Sequence, residues 1–144
     1  ERAEALTGHS AWDLIMIASL AERETGAPAD ERGKIARVVF NRLERGEPLG
    51  IDAAILYGLG RTSGALTKSD LATDTPYNNR LHKGLPPTPI ATPSKAALEA
   101  AINPPEGPWI YYVLVENDPP THLFTASAKE FQRAKDDAKA RGVF

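Results

Sequence analysis

The stretch "SAWDLIMIASLAERETG", residues 10–26, decides how this chain is read. Ser10 is a good helix N-cap and Asp13 follows three residues on, as in a capping box. Gly26 and Pro28 supply the stop, so a helix is expected from about Ser10 to Thr25. Between Leu14 and Ala21 only Ser19 is polar, which predicts burial on most sides. Two acids, Glu22 and Glu24, then stand at the helix end that repels negative charge. At about 100° per residue Glu24 falls between Ile17 and Leu20, while Glu22 lies on a mixed arc with Ile15, Ala18 and Ser19. Burial and the helix dipole both disfavour ionisation of Glu24, and a carboxyl that keeps its proton can serve as a general acid. A plainer reading stands beside this one: a last-turn glutamate that reaches water or pairs with Arg32 or Arg42. Glu22 reads as a surface residue or a helper to its neighbours.

Outward from that helix, a second is expected from Asp30 to Arg45, with Ile35, Val38, Val39 and Leu43 as its stripe and Gly46 as its left-handed end. "EPLGIDAAILYGLG" reads as a strand or a short buried segment. "LTKSDL" reads as a short helix capped by Thr67 with Asp70 in the boxed position. From Asp74 to Pro93 the chain carries five prolines and no period, the mark of a functional or disordered loop. Thr92 should cap a helix with Pro93 in its first turn, ending at Asn103. "WIYYVLV", residues 109–115, reads as a strand apolar on both faces, "ENDPP" as its turn and "THLFT" as its hairpin partner. A last helix starts at a Ser127–Glu130 capping box and stops at Gly142. The expected class is α+β, mostly helical with a small antiparallel sheet.

The 144 residues fit one domain, and 42% hydrophobic content suffices for a core. A formal charge of −2 with scattered basic residues gives no footprint for nucleic acid or an anionic membrane surface. With no cysteine, disulfides, thiol catalysis and Cys-ligated zinc are excluded. His9, His82 and His122 lack metal-ligand spacing, so no metal is expected. No signal sequence or membrane span is present, and the chain opens without Met, so it is read as a piece of something longer. Glycosidases of the usual kind need two carboxylates flanking the bond. The only other acid in an unusual setting is Asp52, either a second carboxylate or a buried Asp holding a turn. One acid alone would suit a reaction in which the substrate brings its own nucleophile.

"ASLAERETG", "ERGKIARVVFNRL", "YGLG", "TPYNNRLHKGLPPTPIATPS", "AALEAAINP", "IYYV" and "HLFT" follow one another in the order seen in endolytic murein transglycosylases, the MltG or YceG-like family. The resemblance runs from Leu14 to about Ala134. It implies a fold related to lysozyme-like lytic transglycosylases and endolytic cleavage of peptidoglycan glycan strands, without any metal or organic cofactor. The implied mechanism is attack of the muramic acid 6-hydroxyl on its own anomeric carbon. Glu24 of "ERET" matches the family's catalytic glutamate, and Thr25 takes the second place of the Glu–hydroxyl pair found in related enzymes.

Tyr77 and Asn78 of "PYNN" match a pair that lines the cleft; a packed tyrosine and a turn-forming asparagine are the alternatives. Asn41 and Arg42 lie on the second helix, where Arg42 would brace Glu22 or Glu24 or form a purely structural pair. His122 matches a histidine before the hairpin phenylalanine and would contact substrate, or simply pack. The chain departs from the family's "LQTDPT" with "LGIDAA", keeping only Asp52. The resemblance further implies a monomeric catalytic domain at residues 1–144, held at the outer face of the plasma membrane by an anchor not in this sequence, with cell-wall synthesis machinery as possible partners. Rival readings are a hydrolytic muramidase using Glu24 and Asp52, and an inactive glycan-binding module.

Overall fold

The computed structural model describes residues 7–144. Helix α1, Ala11–Glu24, runs through the middle, with Leu14, Met16, Ile17, Ala18, Leu20 and Ala21 all buried. Each large side chain in that set contributes roughly 1.5–3 kcal/mol by leaving water. Ser10 caps the helix by accepting the Asp13 N–H at 3.1 Å. Ser19 is satisfied where it is buried: its hydroxyl donates to the Met16 carbonyl and accepts the Ile90 N–H at 3.1 Å, pinning the long loop onto α1. Helix α2, Glu31–Arg45, buries Ile35, Ala36, Val38, Val39 and Phe40, and ends at Gly46 with φ +66°. That backbone conformation is readily taken only by glycine.

The segment left open between strand and buried run is a helix, α3, Asp52–Gly58. Four consecutive buried residues, Ala53, Ala54, Ile55 and Leu56, show neither a two-residue nor a 3.6-residue period, which is why the pattern could not choose. Gly50 with φ +65° and extended Ile51 turn the chain into α3. Asn79 fixes that turn, its backbone carbonyl accepting the Gly50 N–H and its Oδ1 the Ile51 N–H at 3.0 Å. Helix α4, Lys68–Ala72, carries the expected Thr67–Asp70 capping box.

Residues 73–94 form neither helix nor strand, as read, but the loop is internally bonded. Helix α5, Lys95–Ile102, starts later than expected: Ser94, not Thr92, is the N-cap and accepts the Ala97 N–H, so Pro93 precedes the cap. Strand β1, Tyr111–Asn117, pairs antiparallel with β2, Pro120–Thr125, in the register Tyr111↔Thr125 and Tyr112↔Phe124, with an irregularity between Leu114 and Glu116. β1 begins two residues after the predicted start and is not buried on both faces: only Val113 within it is buried, because two strands make a ribbon with no sheet beyond.

Helix α6, Ala128–Ala140, packs on this ribbon, and Tyr111 stacks on Phe131 at 5.1 Å. Ser127 caps it, but the expected reciprocal box does not form. The Glu130 carboxylate takes the Thr125 hydroxyl instead, and the Ser127 N–H goes to Thr125 Oγ1. Helices beside one antiparallel ribbon make this an α+β fold.

Candidate active site

The fold brings three segments to Glu24, the last residue of α1. The first turn of α3 contributes the Ala53 N–H, 3.3 Å from Glu24 Oε1. β1 brings the Tyr112 hydroxyl close enough to the same carboxyl to favour its charged form, and β2 brings the His122 ring into its electrostatic range. Glu24 keeps some solvent contact, yet burial is the largest influence on it and raises its pKa above the ordinary carboxyl value. The Ala53 N–H pulls the other way, the nearby Asp52 charge adds to the rise, and His122 and Tyr112 favour the carboxylate. The Tyr112 hydroxyl is pushed well above its usual value, first by burial and then by Glu24. A carboxyl with burial on one side of the balance and two donors on the other can give up a proton and take it back.

His122 is held by Glu31, the first residue of α2. Glu31 Oε1 accepts the His122 backbone N–H at 2.7 Å, and Oε2 meets His122 Nδ1 at 2.8 Å and the Gly26 N–H at 2.8 Å. The α1–α2 connection is thereby tied to β2, a tie reinforced by the Ala27 N–H on the Pro120 carbonyl. Gly26 is required by this closeness: a Cβ there would overlap Glu31 Oε2 and lie 2.5 Å from the Pro120 oxygen.

Asp52 is not the buried, turn-holding residue that its apolar neighbours suggest. Its side chain is exposed, and Arg80 from the long loop pairs with it at 3.1 Å. As the first residue of α3 it points away from the helix's buried face while remaining near enough to act on Glu24. Glu22 turns from Glu24 towards α5, where it accepts the Ser94 hydroxyl at 2.6 Å and the Ser94 N–H at 3.1 Å. Those bonds, the hydroxyl's first, hold its pKa below the ordinary value. Thr25 is the C-cap of α1, its N–H on the Ala21 carbonyl.

Arg42 braces neither glutamate. Its guanidinium donates to the carbonyls of Ile110 and Pro48 and lies over the Tyr111 ring at 5.2 Å, anchoring the approach to β1. Asn41 does similar work on the carbonyls of Gly107 and Trp109. Tyr77 packs on the core with its ring 4.9 Å from that of Tyr57 and its hydroxyl 2.7 Å from that of Thr88. Asn78 has no exposed surface. Its amide donates to the carbonyls of Leu71 and Thr73, and its Oδ1 accepts the N–H groups of Arg80 and Leu81. Asn78 therefore shapes the loop, and no part of its amide is left over for a ligand.

Tyr112, Glu31, Arg80 and the Ala53 N–H are neighbours of the site that sequence reasoning missed. Alternation along β1 could have separated Tyr112 from Tyr111, since they face opposite sides of the ribbon. Glu31 is an acid in the first turn of α2, a placement that the helix dipole favours and that therefore carries no signal of a further role. Among the described residues no group of three or more His, Asp or Glu could hold a metal ion, and no helix is long and apolar enough to cross a membrane. A cavity of about 590 Å³ lies elsewhere, bordered by His9, Arg37, Phe40, Leu43 and Ile102.

A sequence model of the YceG-like family matches residues 1–137. The chain is 37% identical over 127 residues to the endolytic murein transglycosylase of Bacillus subtilis (strain 168), covering 88% of this chain and 34% of that protein. It is 41% identical over 106 residues to the protein of the same name from Streptococcus pneumoniae serotype 2 (strain D39), covering 70% of this chain and 19% of that one. The chain thus spans about a third or less of the length of these curated relatives. The crystal structure of a yceG-like protein from Listeria monocytogenes matches with a TM-score of 0.83 at 28% identity, over 91% of this chain and 42% of that one.

Proposed function

Because the chain belongs to the YceG-like family, we propose that it is the catalytic domain of an endolytic murein transglycosylase, with Glu24 as its single acid and base. The observation that carries this reading is the Glu24 carboxyl itself, raised above its ordinary pKa chiefly by burial yet offered a hydrogen bond by the Ala53 N–H, with the Tyr112 hydroxyl close by. The relatives' name supplies the substrate class, murein.

The chemistry balances without a second protein carboxylate. Neutral Glu24 donates its proton to the oxygen of a β-1,4 bond between N-acetylmuramic acid and N-acetylglucosamine, and the bond from the anomeric carbon to that oxygen breaks. The muramic acid 6-hydroxyl bonds to the anomeric carbon, and its proton passes to the Glu24 carboxylate. One strand end becomes a 1,6-anhydro sugar, the other a free 4-hydroxyl, and the enzyme is returned with its proton. Tyr112 and the Ala53 N–H stabilise the carboxylate in the interval when it is charged. Asp52, exposed and paired with Arg80, raises Glu24's readiness to hold a proton rather than attacking sugar. His122 contributes a substrate contact, and Thr25 and Tyr77 shape the walls.

We read residues 1–144 as one catalytic domain of the lysozyme-like kind, working on the outer side of the plasma membrane, where peptidoglycan lies. Clearing of purified sacculi in a gel tests the proposal: wild type should clear, Glu24→Gln should not, and Asp52→Asn should. Binding without clearing by wild type would favour a glycan-binding module, and loss with Asp52→Asn would favour the hydrolytic rival.

A further inference from the structure

Among the described residues Glu31 is the one fully enclosed charged side chain, with 3% side-chain exposure, and His122 beside it has 11%. Both Glu31 oxygens already accept a backbone N–H, Oε1 from His122 and Oε2 from Gly26. A carboxylate in that position has no hydrogen to give, so His122 Nδ1 must be the donor across the 2.8 Å contact. Turning the ring over would set a carbon against Oε2, and Tyr112 packs edge-on against the ring at 5.6 Å. The hydrogen therefore stays on Nδ1. In the neutral imidazole this leaves the lone pair on Nε2, which has no hydrogen-bond partner among the described residues.

We propose that Glu31 is a positioning residue that locks His122 in its Nδ1-protonated form, so that Nε2 stands near Glu24 as an acceptor for a hydroxyl or acetamido hydrogen of the bound glycan. The inference rests on the reading of Glu24 as an acid acting on a glycan. Sugars present hydroxyl and amide hydrogens in abundance, and a fixed acceptor selects the orientation that offers one. Three titratable groups face His122: Glu31 from α2, Glu24 from α1 and Tyr112 from β1.

Nitrogen-15 NMR of the His122 imidazole in the full chain tests this without requiring turnover. In wild type Nδ1 should carry the hydrogen and Nε2 should resonate as an unprotonated nitrogen. Adding a tetrasaccharide of alternating N-acetylglucosamine and N-acetylmuramic acid to the inert Glu24→Gln variant should move the Nε2 resonance and leave Nδ1 in place. Glu31→Ala should return the ring to the Nε2-protonated form preferred by free histidine and lower kcat/KM about tenfold, as loss of a histidine's outer partner commonly does. Should Glu31→Ala fail to fold, the wild-type and Glu24→Gln spectra decide alone. An Nε2-protonated ring in wild type, or an Nε2 signal indifferent to the saccharide, overturns the inference. If the saccharide moves Nε2 while wild type releases no anhydro product, the acceptor role stands and the transglycosylase reading falls.

Discussion

Replacing Asn78 by alanine separates a structural amide from a substrate-reading one. The wild-type side chain makes four hydrogen bonds, two given and two received, with no exposed surface. Two of the groups it serves have second partners: the Thr73 carbonyl also takes the Thr75 N–H, and the Leu81 N–H also reaches the Asn78 carbonyl. The Leu71 carbonyl and the Arg80 N–H are left without a partner by the substitution. An orphaned buried polar group costs about 1–3 kcal/mol. The half-open surroundings of Leu71 and Arg80 admit some water, so the total should be about 2–4 kcal/mol. For a chain of this length each kcal/mol lowers Tm by about 3 °C, which predicts a fall of about 6–12 °C. Urea denaturation and a thermal melt followed by circular dichroism give both numbers. A variant with unchanged Tm and a raised KM would instead make Asn78 a contact for sugar.

Three further outcomes follow from the Glu24 environment. Glu24 has a folded-state pKa above the ordinary value of 4.5, so through the window between the two the folded state binds more protons than the unfolded one, and stability declines as pH rises. Glu24→Gln should match wild type below that window and be the more stable protein above it, as measured by urea midpoints at a series of pH values; equal midpoints throughout would contradict the raised value. Asp52→Asn removes a charge that raises the Glu24 pKa, so the alkaline limb of the pH–activity profile should move to lower pH while activity survives; a loss on the order of a hundredfold or more would instead make Asp52 a catalytic group. Gly26→Ala forces a Cβ against the Glu31 carboxylate and the Pro120 carbonyl, and should cost about 1–3 kcal/mol of stability, with lowered activity, read by melting and sacculus clearing.

Much of this was legible in the chain because strong local signals agreed with the tertiary structure. Ser10, Gly46, Thr67 and Ser127 mark helix ends where the helices end or begin, and the apolar runs of α1 and α2 form the core. Glu24 could be picked out because an acid on an apolar arc at a helix C-terminus conflicts with both burial and the dipole. α3 was illegible because its seven residues are too few to display a period, and Asp52, set between buried Ile51 and Ala53, fitted a second carboxylate and a buried turn-holder equally well. Tyr112, Glu31 and Arg80 reach the site from segments far apart in sequence, and no spacing rule links them. Arg42 misled for a related reason: nearby carboxylates were visible in sequence, whereas the carbonyls of Pro48 and Ile110 that it binds were not.

In the proposed reaction one partly enclosed carboxyl both gives and retrieves the proton while the glycan attacks itself. Mass spectrometry of fragments released from undecorated glycan strands tests it most directly, with wild type and Glu24→Gln run side by side. Wild type should release fragments ending in 1,6-anhydro-N-acetylmuramic acid, lighter by one water than hydrolysis products, and Glu24→Gln should release none. Reducing ends from wild type, or anhydro ends undiminished in the variant, would contradict it.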